Sequence, residues 1–227
     1  YVRHVHLRDS DDADTYNLIG EGTLPVAVVK YTAQNGWNTI CMPFKLTEEL
    51  MGRLFGEGWK AFELKEYEND AIRMQEPTGF VAGYAYLVNA KNAPVNANGI
   101  VVENLQISAT SANYDYRNGV TFQGTYAPIE AGQMTDKYTI NADTMLVKGE
   151  ATTTLLGYRG YYLLAETITT LPELTFFNAD GSSTVGITAP KAEALIRQGI
   201  FNLKGQRVET MKKGQLYIIN GKKVIMR

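Results

Sequence analysis

The stretch GIFNLKGQRVETMKKGQLYIINGKKVIMR, Gly199 to Arg227, spells two hairpins with their turn residues in place. Asn220-Gly221 separates the runs Leu216 to Ile219 and Val224 to Met226, and Lys204-Gly205 separates Phe201 to Leu203 from Arg207-Val208. An Asn-Gly pair between apolar runs is the strongest short-range hairpin signal, because both turn residues must take positive φ. A two-residue turn also sets the register, placing Tyr217 opposite Val224 and Leu216 opposite Ile225. Both faces of that ribbon then carry apolar groups, so residues 191–227 are expected to form a linker and hairpin segment packed on a body spanning 1–190.

Upstream, the same period-two grammar recurs. Val5 and Leu7 alternate with His4 and His6 in a half-buried strand, and Leu24 to Tyr31 is a near-continuous apolar run suited to a strand covered on both faces. In Gly36 to Phe44, Ile40, Met42 and Phe44 share a face, and Pro43 ends the pairing because it lacks a donor. Thr47 can cap a short helix with Glu48 and Glu49 in its first turn and Leu46, Leu50 and Leu54 four apart; Gly56 and Gly58 close it. Ten short strands are then expected: Trp59 to Leu64, Ala71 to Gln75, Phe80 to Val88, Ile100 to Ile107, Gly119 to Tyr126, Tyr138 to Ile140, Met145 to Lys148, Thr152 to Leu156, Gly160 to Ala165 and Leu174 to Phe177. Pro190 to Gln198 is a second helix candidate, or a linker to the last hairpins. Many strands without intervening helical patterns predict an all-β fold, a mostly antiparallel β-sandwich with one or two short helices and a C-terminal hairpin unit. Division of the body into β subdomains at 1–110 and 111–190 is the alternative organisation.

Composition agrees with this reading. The chain has 227 residues, 44% hydrophobic and only 20% charged, with 14 Tyr and 21 Gly, a mixture that favours strands and tight turns and is too apolar for disorder. The net charge of −2 conceals a basic end: residues 191–227 hold nine Lys and Arg against two acids. Those cations fall at turns and strand ends, where they solvate the surface and guard edges, and no nucleic-acid fingerprint accompanies them; no nucleic-acid partner is expected. No apolar run reaches eighteen residues, so no membrane-spanning helix is expected. Tyr1 is not a natural start, which reads as a mature or excised segment whose targeting leader lies elsewhere. With one cysteine there is no internal disulfide; Cys41, inside Thr39 to Met42, reads as apolar filler, because a nucleophile needs a His partner and the only histidines are His4 and His6.

The chemistry-bearing motifs are absent: no His-Glu-x-x-His, no Gly-x-Ser-x-Gly, no phosphate loop. Gly52, Gly56 and Gly58 imitate a glycine-rich loop but follow a helix rather than a strand. His4 and His6 lack a nearby third ligand, and the acidic stretch Asp9 to Asp14 puts Ala13 and Asp14 where a calcium loop wants an oxygen ligand and a glycine. No metal, cofactor or catalytic residue is therefore assigned. A glycosidase would need two carboxylates across a cleft; Glu63, Glu66, Glu68, Glu103, Asp115 and Glu130 are all available, and no spacing selects a pair. Binding is better motivated. Ser111 to Asn118 is an Asn/Tyr-rich stretch read as a loop between strands, in which Asn113, Tyr114, Tyr116 and Arg117 could stack on and hydrogen-bond a sugar or protein surface. The competing reading is that tyrosines simply pack in β-proteins with the hydroxyl at the edge.

Four passages carry a resemblance: Gly36 to Phe44 (GWNTICMPF), Val81 to Val88 (VAGYAYLV), Phe122 to Pro128 (FQGTYAP) and Tyr158 to Tyr162 (YRGYY). Their order and spacing across residues 20–170 resemble a recurrent β-domain of secreted and cell-surface proteins of gut Bacteroidetes, although Gly83-Tyr84-Ala85 stands where that domain has Gly-Lys-Pro or a similar step. The ending, Gly199 to Arg227, is similar to the C-terminal sorting segments of type IX secretion, of which a full unit is longer and Ig-like. The resemblance implies an extracellular or outer-membrane-surface location and a non-catalytic structural or adhesive accessory module, partnered by a glycan or by a host or cell-surface protein. A carbohydrate-binding module attached to a polysaccharide-degrading enzyme is the alternative.

Overall fold

The computed structural model describes residues 4–8, 22–184, 200–201, 207–208, 216–219 and 222–225, with side chains from 22 to 184. Strands, numbered in chain order, dominate. One three-stranded sheet runs in the order β1 (His4–Arg8), β2 (Gly22–Lys30), β7 (Ile100–Ile107). A five-stranded sheet follows the order β13 (Glu173–Phe177), β5 (Ala71–Gln75), β4 (Lys60–Glu68), β6 (Ala85–Ala90), β3 (Gly36–Cys41). A second has the order β11 (Leu146–Lys148), β10 (Tyr138–Ile140), β12 (Arg159–Leu164), β9 (Val120–Thr125), β8 (Tyr114–Arg117). The fold is all-β and sandwich-like, and its pairings are antiparallel except for β1 with β2 and β13 with β5 among the described strands.

The chain divides into two compact units, Tyr1–Ile187 and Thr188–Arg227. The second contains one sheet, β15 (Arg207–Val208), β14 (Ile200–Phe201), β16 (Leu216–Ile219), β17 (Lys222–Ile225). Its last hairpin has the register that the Asn220-Gly221 turn dictates, Leu216 opposite Ile225 and Tyr217 opposite Val224. In the first hairpin Ile200 is opposite Val208 and Phe201 is opposite Arg207, and the expected Lys204-Gly205 turn lies outside the described residues. The helix candidate 190–198, the acidic stretch 9–14 and the expected packing of the closing segment on the body lie outside the described residues.

Within the body, local chemistry explains the elements. Thr47 is extended and its hydroxyl accepts from Leu50 N at 3.2 Å, capping α1 (Glu48–Phe55) and contributing about 1 kcal/mol. Asn69 and Asp70 both have positive φ, the requirement of a tight turn between β4 and β5. Three strand expectations are corrected. Phe80 to Gly83 is not paired as strand: Gly83 sits at φ +84, its N–H donates to Met42 O at 2.7 Å and its carbonyl accepts from Asn113 N at 2.7 Å, so β6 begins only at Ala85. Residues 152–156 are not a strand among the described residues: they carry one isolated antiparallel bridge, Leu155 with Ile129. In β2, Ala27 and Val29 are buried but Val26 and Val28 are half-exposed, so only one face is fully covered.

Gly36 to Phe44, Val81 to Val88, Phe122 to Pro128 and Tyr158 to Tyr162 converge on one internal crossing. Cys41 Sγ donates to Gly83 O at 3.1 Å, Cys41 N donates to Tyr158 O at 3.0 Å, and Thr39 Oγ1 both donates to Gly160 O and accepts from Gly160 N. Gly124 and Gly160 are cross-strand partners in β9 and β12. A Cβ at Gly124 would lie 2.5 Å from Cys41 Sγ, and one at Gly160 would lie 2.7 Å from the Ala85 Cβ. The two glycines let two sheets approach more closely than side chains permit.

Candidate ligand-binding face

The Asn/Tyr-rich stretch 111–118 is loop only at its start, residues 111–113. Tyr114–Arg117 is a strand, and Asn118 and Gly119, at φ 48° and 99°, make the two-residue turn into Val120–Thr125. Only the following side of this Asn-Gly pair carries an alternating apolar run, Val120 and Phe122; the preceding Asp115 and Arg117 mask the signal that is plain at Asn220-Gly221. The hairpin assigns the four candidate residues different places. Tyr114 and Tyr116, two apart, share the outer face and are 60% and 56% exposed. Arg117 donates from Nε to Lys65 O at 2.9 Å and from Nη1 to Tyr116 O at 2.7 Å, tying the hairpin to the neighbouring strand. Asn113 serves through its backbone, accepting from Gly124 N at 3.0 Å as well as donating to Gly83 O. Arg117 and Asn113 thus position the two tyrosines.

Cross-strand register extends the outer face beyond the hairpin. Tyr114 is opposite Gln123, which is opposite Tyr161; Tyr116 is opposite Thr121, which is opposite Leu163. Tyr161 is half-buried, burial raises its hydroxyl pKa, and the Lys137 ammonium lies 5.6 Å from its ring centroid. Gln123 Nε2 donates to Gly124 O at 2.8 Å, which fixes the carboxamide between the two tyrosines. Sequence inspection missed Gln123 and Tyr161, which become visible only once the strand register is known. The result is a sheet surface of rings and polar groups, suited to stacking and hydrogen bonding and held by backbone pairing rather than by a flexible loop.

Beneath the hairpin the structure brings together two of the six carboxylates. Burial raises the pKa of Glu63, and the Asp115 charge adds to it; burial raises Asp115 while Arg117 opposes the shift. Carboxyls raised in the fold bind more protons than in the unfolded chain, so their ionisation opposes folding at neutral pH and that opposition is relieved as pH falls through the raised values. Glu66 is instead paired with Arg73 at 2.9 Å. Among the described residues no group of three or more His, Cys, Asp or Glu is placed to hold a metal.

Cys41 is fully buried, and burial pushes its thiol up to about 12. The thiolate is the reactive form. Iodoacetamide is therefore expected to label Cys41 only in denaturant; prompt labelling of the native protein would contradict the buried placement. No helix among the described residues is long and apolar enough to cross a membrane.

No protein-family model, no curated protein and no solved structure matches the chain.

Proposed function

We propose that the protein is a non-catalytic accessory module of a secreted or surface-attached bacterial protein, and that it adheres through the outer face bearing Tyr114 and Tyr116. The observation that carries this reading is the pair of large rings left more than half exposed on a strand held by its pairing with β9 and by the flanking Arg117, which bonds Lys65 O and Tyr116 O. Rigid aromatic side chains supply contact area at small entropic cost, and exposed ones on a fixed scaffold are the usual anchors of recognition surfaces. The rank Tyr114, Gln123, Tyr161 favours a glycan as the adhered surface, because rings alternating with a carboxamide along one line offer stacking and hydrogen bonding to successive sugars.

The double variant Tyr114→Ala/Tyr116→Ala is expected to lose about ten-fold or more in adhesion to a glycan array or to host-cell surface protein. Each exposed substitution should leave stability within about 0.5 kcal/mol. Adhesion equal to that of the parent would reject the face, and a parent silent on both probes would reject the module reading.

A further inference from the structure

A cleft of about 490 Å³ lies away from the tyrosine face, between the start of α1, the start of β4 and the segment 76–80. Its volume falls within the ~300–1,000 Å³ typical of small-molecule sites. One wall is the half-buried Trp59 indole, and Phe80 braces it with ring centroids 6.1 Å apart. Phe80 is in turn held edge-on by Tyr86 at 4.9 Å, and the Tyr86 hydroxyl accepts from Val81 N at 2.7 Å. The aromatic wall is therefore fixed before any ligand arrives.

The opposite character comes from charge. Lys60 and Glu76 form an ion pair at 2.5 Å within the lining, and Lys45 and Glu48 add one further charge of each sign. The lining is thus neutral in sum. An anionic ligand would meet Glu48 and Glu76, a cationic one Lys45 and Lys60, and a hydrocarbon would desolvate the ion pair with nothing to hydrogen-bond it. A carboxylate has acceptor capacity beyond a single ammonium, so Glu76 can bond Lys60 and a ligand hydroxyl together. We propose that this cleft is a second binding site, for a short neutral saccharide whose C–H face packs on Trp59 while its hydroxyls bond Glu76 and Lys60.

The proposal is independent of the tyrosine face and is tested separately. Xylobiose, cellobiose, maltose and mannobiose would be titrated by calorimetry and by tryptophan emission, with digalacturonate and chitosan dimer as charged probes. Trp37 is buried against Phe176, so a ligand-dependent emission change reports on Trp59. At least one neutral disaccharide is expected to bind at millimolar concentration. Trp59→Ala should weaken it about ten-fold or more, as expected for loss of a stacking partner. The near-isosteric Glu76→Gln should weaken it several-fold and guards against a folding defect in Trp59→Ala, while Tyr114→Ala/Tyr116→Ala should leave it unchanged. Absence of a signal from all four neutral dimers, tighter binding of either charged dimer, or an unaltered titration in Glu76→Gln would overturn the assignment.

Discussion

Gly160→Val is expected to destabilise the body by about 3 kcal/mol or more, the upper range for forcing volume into a packed interior. The new Cβ would stand 2.7 Å from the Ala85 Cβ and 2.9 Å from Phe122 Cε2, and neither neighbour has an easy retreat. Ala85 belongs to a central strand, and the Phe122 ring is stacked on Tyr162 at 4.4 Å. The Gly160 backbone is itself held in place, because the Thr39 hydroxyl is bonded to both its N–H and its carbonyl. Urea unfolding measures the effect, with Gly79→Ala as the control because a Cβ there meets nothing within 4 Å. A midpoint for Gly160→Val within error of the parent would mean that the sheets do not touch at this crossing.

Phe176→Ala should cost about 3–5 kcal/mol, the range for emptying a buried phenylalanine site. Phe176 is 2% exposed, stacked on Trp37 at 4.9 Å and edge-on to Phe62 at 4.9 Å, so one ring joins three strands. Its loss removes the ring stacked on Trp37 and leaves the tilted Phe62 contact, and tryptophan emission should shift to the red as unfolding shifts to lower urea. A cost below about 1 kcal/mol would show that the site collapses without penalty and that β13 is an accessory edge.

Where residues announce their own geometry, the fold is legible in the sequence. Thr47 with Glu48 and Glu49 marks α1, Asn220-Gly221 fixes a register, and the alternation of Ile72 and Met74 marks β5. Where a partner is distant, it is not. Glu173–Phe177 reads as a strand, yet its parallel docking on Ala71–Gln75 follows from no local signal, because parallel pairing has no turn to set it. Gly124 and Gly160 look like ordinary strand glycines until they prove to face each other across the crossing. The candidate face was half legible: the tyrosines stood out by composition, but their strand was hidden inside a polar stretch, and Gln123 and Tyr161 joined them only through pairing.

The parallel docking of β13 has a consequence for synthesis. Thr175 bonds Ile72 across 103 residues, so at ~5–20 residues per second the ribosome needs about 5–20 s to deliver the strand that covers this flank. During that interval the nascent chain carries an uncovered sheet margin and an unfilled socket around Trp37 and Phe62. Slow translation or truncation before position 173 would therefore expose a sticky intermediate to chaperones and to other copies.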